Sequence, residues 1–269
     1  MIRCPLCDGA VEPTGRYGIA LGRCAACGSC FAREGRPQAV RSYASDDYLA
    51  RYEGIQVDAR QRRYEGRLRL RWMRSHVGRG SLFEAGAAAG YFLDEARAEG
   101  FGVSGVEPSP TLSEFARQTH GLPVATCLLE DAPAGEPTDV VCLWHVLEHA
   151  GDPVAMLRDV AGRLLPRGHV FIEVPNIASP AAARLRLRAP ALASTEHLTH
   201  FTPAGLSTAL RRAGLTPIDV FTIPRWHYRR PAAWASPRTV ASAGRDVVAG
   251  GGARRHPTRG DLLRAVVRR

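Results

Sequence analysis

The chain has 269 residues, of which 45% are hydrophobic and 23% are charged, and its formal net charge is +10. This composition is typical of an ordinary globular protein and excludes an intrinsically disordered one. No apolar run reaches the roughly 18 residues that a membrane span requires, and the first residues lack the apolar segment of a secretory signal. A cytoplasmic protein with no membrane partner is therefore predicted. All 36 basic residues are Arg, a side chain that binds phosphate well, so a nucleic-acid partner stays open.

Cysteines dominate the N-terminal region. Cys4 and Cys7 form one C-x2-C pair, Cys24 and Cys27 form a second, and sixteen residues separate the two pairs. Each pair can present two thiolates to one tetrahedral ion, so the spacing predicts a zinc site. Because four sulfurs would fill the coordination sphere, the zinc is expected to be structural. Two disulfides are the alternative, which a cytoplasmic location disfavours.

Short apolar runs alternate with helical patterns along the rest of the chain. Strands are predicted at 81–85, 101–106, 124–128, 139–144, 169–174 and 217–223. Helices are predicted at 57–76, from the small-residue turn after the first strand to residue 99, and at 110–119, 153–165 and 203–213. A Pro-Arg-Gly stop signal at 166–168 follows the helix at 153–165. The alternation predicts an α/β fold, a doubly wound and mostly parallel sheet, behind a small N-terminal zinc ribbon. Residues 249–258 are predicted to be disordered and 261–269 to form a short helix.

The first predicted strand leads into a bend of small residues. It contains Glu84, and the bend is bounded by Gly86 and Gly90. Glycine permits a tight turn and a close approach of a ligand to the backbone, and the N-terminus of a helix follows. The second strand leads into Glu107, 23 residues after Glu84, where a carboxylate can accept both hydroxyl groups of a ribose. The two features together predict a nucleoside-containing ligand at the carboxyl ends of these strands.

This segment resembles the first two motifs of the class I S-adenosylmethionine-dependent methyltransferases, in which an acidic residue precedes Gly-x-Gly-x-Gly. Ala88 stands at the middle glycine, which is tolerable if the backbone there is not left-handed. A nicotinamide-binding site is the alternative, and the acidic residue before a glycine-poor bend disfavours it. The resemblance covers about residues 67–223, and it implies cofactor contacts by Glu84, Gly86, Ala88, Gly90, Glu107, Glu130, Asp131 and Trp144.

The fourth predicted strand runs into Trp144-His145-Val146-Leu147-Glu148-His149, which is similar to ubiquinone-pathway O-methyltransferases and sugar C-methyltransferases. Methyl transfer usually needs a base, and a His suits that role near neutral pH. His149 beside Glu148 is the first candidate. In ubiquinone-pathway members a Glu that helps to bind a cation stands at the position of His145. The resemblance also implies that His197 faces the acceptor. The alternative is that Glu148 and His149 only cap the next helix.

These features predict a methyltransferase that acts on a small molecule or a carrier-linked sugar. The predicted parts are a zinc module at 1–35, a helical segment at 36–78, a methyltransferase domain at 79–224 and a basic tail at 225–269. The first alternative is an RNA base methyltransferase that holds nucleic acid with its zinc module and arginines, and aromatic residues at only 7% disfavour it. The second alternative is a non-enzymatic protein, in which the sheet is the remnant of a cofactor-binding domain and the zinc module is a surface for docking a partner.

Overall fold

A computed structural model describes residues 2–16, 21–32, 59–185, 196–228, 256 and 258–269. The disorder predicted for 249–258 and the start of the helix predicted at 57 fall almost entirely outside these residues. Among the described residues, no helix is both long and apolar enough to cross a membrane.

The helices are α1 (Ala59–Met73), α2 (Tyr91–Ala98), α3 (Pro110–His120), α4 (Pro153–Gly162), α5 (Pro180–Leu185) and α6 (Pro203–Arg212). Short 3-10 helices lie at Leu147–His149 and Arg225–Tyr228. The strands are β1 (Val11–Thr14), β2 (Leu21–Cys24), β3 (Cys30–Ala32), β4 (Ser81–Ala85), β5 (Gly102–Val106), β6 (Val124–Ala125), β7 (Thr138–Trp144), β8 (Leu164–Pro175), β9 (Thr199–His200), β10 (Thr216–Ile223) and β11 (Leu262–Arg268).

Seven strands form the main sheet in the order β10-β11-β8-β7-β4-β5-β6. Strands β4 to β8 pair in parallel, whereas β11 runs antiparallel to both of its neighbours. The chain moves outward from β4 through β5 to β6 and then returns to β7 on the other side of β4. The order of strands therefore reverses between β4 and β7, and their carboxyl ends are where such a sheet binds ligands. The predicted doubly wound α/β fold is confirmed.

The helix predicted at 153–165 is wrong only in its last three residues. Helix α4 ends at Gly162, and Leu164 already begins β8, where it pairs with Thr138. The pairing then shifts, so that Val140 faces His169, and the Pro-Arg-Gly turn predicted to stop the helix forms this irregularity inside the strand. Leu164 is fully buried, so pairing with β7 outweighed the local helical pattern.

The helix predicted at 261–269 is also wrong. Residues Leu262–Arg268 form β11 between β8 and β10, and all but the last are buried. A short apolar run covered on both faces of a sheet does not alternate, so periodicity cannot distinguish it from a buried helix. The strand brings part of the predicted basic tail into the main sheet.

The cysteine-containing segment packs on the main domain. Strands β1, β2 and β3 form a second sheet. Its fourth strand is β9, which lies about 170 residues after β3 in the sequence. Leu6 and Phe31 from this segment share one hydrophobic core with Leu206 and Leu210 of α6. The small sheet and the domain therefore bury apolar surface against each other.

Candidate active site

The bend after β4 depends on two glycines in the left-handed region. Gly86 has φ 72° and Gly90 has φ 80°. A Cβ on Gly86 would lie 2.6 Å from Val146 Cγ2, and one on Gly90 would lie 2.6 Å from Leu122 Cδ1. Both the backbone conformation and the lack of space exclude a side chain at these two positions. The predicted tight turn is confirmed.

Ala88 lies in the same bend and is left-handed as well, with φ 47°. An alanine is tolerated here without strain only if the backbone is not left-handed. This condition is not met. For an L-residue this conformation costs roughly 1–2 kcal/mol. The backbone N–H of Ala88 donates to Glu107 Oε2 at 2.8 Å, and this hydrogen bond helps to hold the strained residue in place.

Ala88→Gly is expected to stabilise the protein by about 0.5 kcal/mol, because relief of the left-handed alanine exceeds the backbone entropy that a glycine loses on folding. Urea denaturation measures the free energy of unfolding. The matched control is Ala89→Gly, at a buried position outside the left-handed region, which should be destabilising. Equal losses of stability in both variants would contradict the explanation.

Glu107 lies immediately after β5, beside the bend. Its side chain is buried, with Oε1 accepting from Ser109 N at 2.9 Å and Oε2 accepting from Ala88 N at 2.8 Å. Burial raises the pKa of Glu107 above its ordinary value. Each carboxylate oxygen accepts more than one hydrogen bond, so the group can still receive ligand hydroxyls. The carboxylate and the bend meet as the sequence predicts.

Two polar atoms beside this bend lack partners. Glu84 Oε2 and Trp144 Nε1 are buried and have no hydrogen-bond partner among the residues that the structure describes. Burial raises the pKa of Glu84 well above its ordinary value. Buried polar atoms are normally satisfied, so these two atoms indicate a site for a polar ligand.

A cavity of about 390 Å³ opens beside the bend, within the usual range for small-molecule sites. The predicted cofactor residues Gly90 and Asp131 are not among those that line it. The predicted residues that do are Glu84, Gly86, Ala88, Glu107, Glu130, Trp144, His145 and His149.

Helix α1 closes one side of this cavity with Arg62, Glu65 and Arg69. Sequence reasoning missed these residues because an Arg-rich amphipathic helix looks like a solvent-facing element. Arg69 is buried, and its guanidinium carbon lies 4.9 Å from the centre of the Trp144 ring. Only the tertiary packing places these charged side chains inside the cavity.

Arg69 belongs to a buried ionic cluster around Glu173. The carboxylate accepts from Arg69 Nη2 at 2.8 Å and from Arg264 Nε at 2.7 Å, and Tyr228 also donates to it. Burial alone would raise the pKa of Glu173, but the two guanidinium groups hold it well below its ordinary value. The cluster connects α1, β8 and β11, and the sequence offered no signal for it.

The four predicted reaction residues lie together at the end of β7. Glu148 Oε1 is 3.3 Å from His145 Nδ1 and 4.0 Å from His197 Nε2. The ring centres of His149 and His197 are 4.9 Å apart. Thus residues separated by about fifty positions in the chain meet at the end of β7.

His145 is held between two carboxylates. Its Nε2 lies 3.3 Å from Glu173 Oε1, opposite the contact of its Nδ1 with Glu148. Burial opposes the charge on this ring, but Glu148 and Glu173 raise the pKa of His145 to about 9. Burial likewise opposes ionisation of Glu148, yet the hydrogen bond with His145 lowers its pKa to about 2. An imidazolium therefore stands between these two carboxylates.

His149 and Glu148 do not cap the following helix. Asp152 is the N-cap of α4, and its Oδ1 accepts from Val154 N and Ala155 N, each at 3.0 Å. His149 Nδ1 instead lies 3.1 Å from the backbone oxygen of Glu196. The capping alternative is therefore wrong.

The four cysteine sulfurs of the N-terminal segment lie within 4.8 Å of one another. Cys4 Sγ is 3.8 Å from Cys27 Sγ, and Cys7 Sγ is 3.4 Å from Cys24 Sγ. Disulfide sulfurs are about 2.05 Å apart, whereas a tetrahedron with Zn–S bonds of about 2.3 Å separates its sulfurs by about 3.8 Å. The geometry fits a zinc ion and leaves all four thiols free.

The surroundings of these sulfurs fit a metal site too. A Cβ on Gly9 would lie 2.9 Å from Cys24 Sγ, and Cys27 N donates to Cys24 Sγ at 3.4 Å. Both contacts bring backbone close to the sulfur of Cys24, as in a compact metal-binding turn. Cys30 is buried and donates to Gly28 O at 3.9 Å, outside this set of four.

The comparison with protein families matches residues 57–220 to a methyltransferase domain. A ubiquinone biosynthesis O-methyltransferase from Xanthomonas euvesicatoria is 30% identical over 153 residues, which are 52% of this chain and 64% of that protein. One from Bordetella pertussis is 27% identical over 167 residues, covering 56% of this chain and 69% of that protein. The chain thus spans about two thirds of the length of these relatives.

Solved methyltransferases share the fold. A possible histamine N-methyltransferase from Thermotoga maritima superposes with a TM-score of 0.62 at 16% identity, covering 86% of this chain and 99% of that one. The 1,6-didemethyltoxoflavin-N1-methyltransferase of Burkholderia thailandensis, solved with S-adenosylhomocysteine, gives 0.56 at 17% identity and covers 93% and 95%. The chain belongs to the class I S-adenosylmethionine-dependent methyltransferases. It is therefore an enzyme, and both the nicotinamide-binding and the non-enzymatic alternatives are wrong.

Proposed function

We propose that this methyltransferase transfers a methyl group from S-adenosylmethionine to a small molecule or a carrier-linked sugar, with His149 as the base. One observation carries the proposal: His149 lines the same cavity as Glu84 and Glu107. A base and a nucleoside-binding carboxylate that line one cavity suit the two reactants of a methyl transfer. The names of relatives that act in ubiquinone biosynthesis and on didemethyltoxoflavin also favour a small acceptor.

The cofactor supplies a methyl group on a positively charged sulfur. In this proposal Glu107 accepts hydrogen bonds from the ribose hydroxyls, and Glu84 receives the ammonium group with the oxygen that lacks a partner. A bound ammonium would lower the raised pKa of Glu84 and make its charged form stable. Gly86 keeps the bend in this shape beside the cavity, because a Cβ there would lie 2.6 Å from Val146 Cγ2.

The surroundings of His149 support its role as a base. A carbonyl oxygen can only accept, so Nδ1 of the neutral ring donates to Glu196 O and the basic lone pair lies on Nε2. The adjacent Glu148 is a carboxylate with a pKa of about 2, and its charge stabilises the imidazolium that forms. When the acceptor attacks the methyl carbon, the carbon–sulfur bond breaks and the acceptor proton passes to Nε2.

We also propose that Cys4, Cys7, Cys24 and Cys27 hold one structural zinc ion. The sulfur separations support it, since all four sulfurs lie within 4.8 Å of one another. With four thiolates bound, the ion has no open position for a reactant. The cytoplasmic location predicted from the sequence stays a prediction.

The RNA alternative gains no support from α1. Arg63 pairs with Asp94 at 2.7 Å and with Glu95 at 3.0 Å, and Arg67 also pairs with Glu95 at 3.0 Å. These arginines are neutralised by α2, so much of the basic stretch in α1 is not available for phosphates.

Label transfer tests the proposed function. The purified chain is incubated with S-adenosylmethionine labelled on the methyl group, together with either a small-molecule extract or total RNA of a bacterium. We expect label in the small-molecule fraction and background label in the RNA. Label in RNA would contradict the proposal and establish the alternative, and failure to bind S-adenosylhomocysteine would remove both.

A further inference from the structure

The cysteine module, residues 2–16 and 21–32, is built into the acceptor side of the proposed active site. Its sheet takes β9 as a fourth strand, with Cys30 opposite His200 and Phe31 opposite Thr199. These partners are about 170 positions apart in the chain. Because β9 begins two residues after His197, the module reaches the residues next to Glu148.

Hydrogen bonds continue this pairing beyond both ends of β9. At one end Ala32 N donates to Leu198 O at 3.0 Å, and Leu198 N donates to Glu148 O at 2.9 Å. At the other end Thr202 Oγ1 donates to Cys27 O at 2.6 Å, and Thr202 N donates to Ser29 Oγ at 3.2 Å. We call residues 196–202 the bridging segment. It is hydrogen-bonded to a zinc-ligand residue at one end and to the backbone of the reaction site at the other.

Side-chain packing makes the same connection. Thr202 is also the N-cap of α6, where its Oγ1 accepts from Gly205 N at 3.0 Å. A Cβ on Gly205 would lie 2.0 Å from Ser29 Oγ, so α6 begins directly against the module. Farther along the helix, Arg212 contacts Asp8 at 2.8 Å and Pro5 O at 3.1 Å. The bridging segment is thus held between the module and α6.

The bridging segment determines where two imidazoles stand. His197 lies in it and approaches Glu148 to 4.0 Å, while His149 Nδ1 meets the backbone oxygen of Glu196. We propose that the cysteine module is a positioning element for the acceptor side of the active site, and that its metal holds His197 and the Glu196 carbonyl in place. This inference rests on the proposed function, because the acceptor side is part of it.

Metal would matter for a simple physical reason. About thirty residues cannot bury enough apolar surface to fold alone, and small modules of this kind gain their folding free energy from the bound zinc. Loss of the metal should loosen β3 and release β9 from its only partner strand among the described residues. The cofactor side uses β4, α2 and β5 instead, so S-adenosylhomocysteine binding should survive.

Hydrogen–deuterium exchange of the full chain tests this inference. Zinc is removed with a chelator under reducing conditions, and elemental analysis confirms the loss. We expect amide exchange in 196–202 to accelerate at least about tenfold, exchange in 84–90 to change little, the dissociation constant for S-adenosylhomocysteine to stay within about twofold, and added zinc to restore protection. Unchanged protection of 196–202 would overturn the proposal, as would a chain that binds S-adenosylhomocysteine but neither holds nor takes up zinc. General loosening with loss of S-adenosylhomocysteine binding would also overturn it.

A pair of variants separates positioning from overall stability while the metal stays bound. Thr202→Val removes the hydroxyl that donates to Cys27 O and that accepts from Gly205 N as the N-cap of α6, and Thr202→Ser retains both contacts. The Val variant should keep one zinc and its S-adenosylhomocysteine affinity, yet exchange faster in 196–202 and lose about tenfold in label transfer. The Ser variant should behave like the unaltered chain. Identical behaviour of both variants would contradict the role of the Cys27–Thr202 contact. Failure of the zinc-loaded chain to bind S-adenosylhomocysteine would instead refute the proposed function.

Discussion

Glu107→Ala is expected to weaken the binding of S-adenosylhomocysteine by at least about 100-fold. Two hydrogen bonds from ribose hydroxyls to a carboxylate contribute roughly 1.5 kcal/mol each, and each 1.4 kcal/mol is tenfold in affinity. The same carboxylate anchors Ala88 N and Ser109 N, so the variant also frees the bend from its place beside the ligand. Isothermal titration calorimetry measures the change.

A second substitution separates these two contributions. Glu107→Gln keeps a carbonyl oxygen for one backbone N–H but presents an NH2 group where the second acceptor was, so intermediate binding is expected. Asp131→Asn is the matched control, because Asp131 is exposed and outside the cavity lining. Undiminished affinity in Glu107→Ala would contradict the cofactor site described above.

His149→Ala is expected to reduce label transfer by about 10² to 10⁴-fold, the usual contribution of a general base. S-adenosylhomocysteine affinity should change by less than about threefold, because the cofactor contacts that we propose come from the bend and Glu107. The rate is measured with the same extract and labelled S-adenosylmethionine at saturating cofactor. His149→Gln retains a donor for Glu196 O but has no basic nitrogen, so it should be as slow as the Ala variant.

The control for this substitution is His169→Asn, at a His in the first half of β8, away from its carboxyl end at Pro175. It should transfer label at the normal rate. Elemental analysis tests whether His149 is a metal ligand instead of a base. The test is needed because Glu148, His149 and His197 bring ligand atoms within 4.8 Å of one another. A second metal that is present in the unaltered chain and absent from His149→Ala would identify a ligand and contradict the base. Full label transfer by the Ala variant would contradict it directly.

The features that the sequence predicted well are those whose parts lie close together in the chain. The bend needs glycine at 86 and 90 because of local backbone conformation, and the strand on each side of it shows as a short apolar run. The cysteine pairs are likewise local patterns with a known ligand chemistry. The approach of His197 to Glu148 was not predicted, since nothing in the spacing of these residues indicates contact.

The backbone conformation of Ala88 could not be predicted from its residue type. An alanine suggests ordinary backbone angles, yet the turn requires φ 47° at this position. The hydrogen bond from its N–H to Glu107 helps to sustain the strain, and that partner is nineteen positions away. A local propensity was overruled by a contact that no local pattern encodes.

Taken by itself, the sequence determined the alternation of strands and helices from β4 to β8, the glycine bend, the carboxylate at Glu107 and the four cysteines, because each follows from short-range sterics or ligand chemistry. Only the tertiary structure decided that 262–268 forms a central strand, that Arg69 and Arg264 meet Glu173 in the interior, and that β9 joins the cysteine module. These features depend on which surfaces are buried against each other. From its residue type, a charged residue such as Arg264 is expected to be exposed. It is buried here because it pairs with Glu173, which is distant in the sequence.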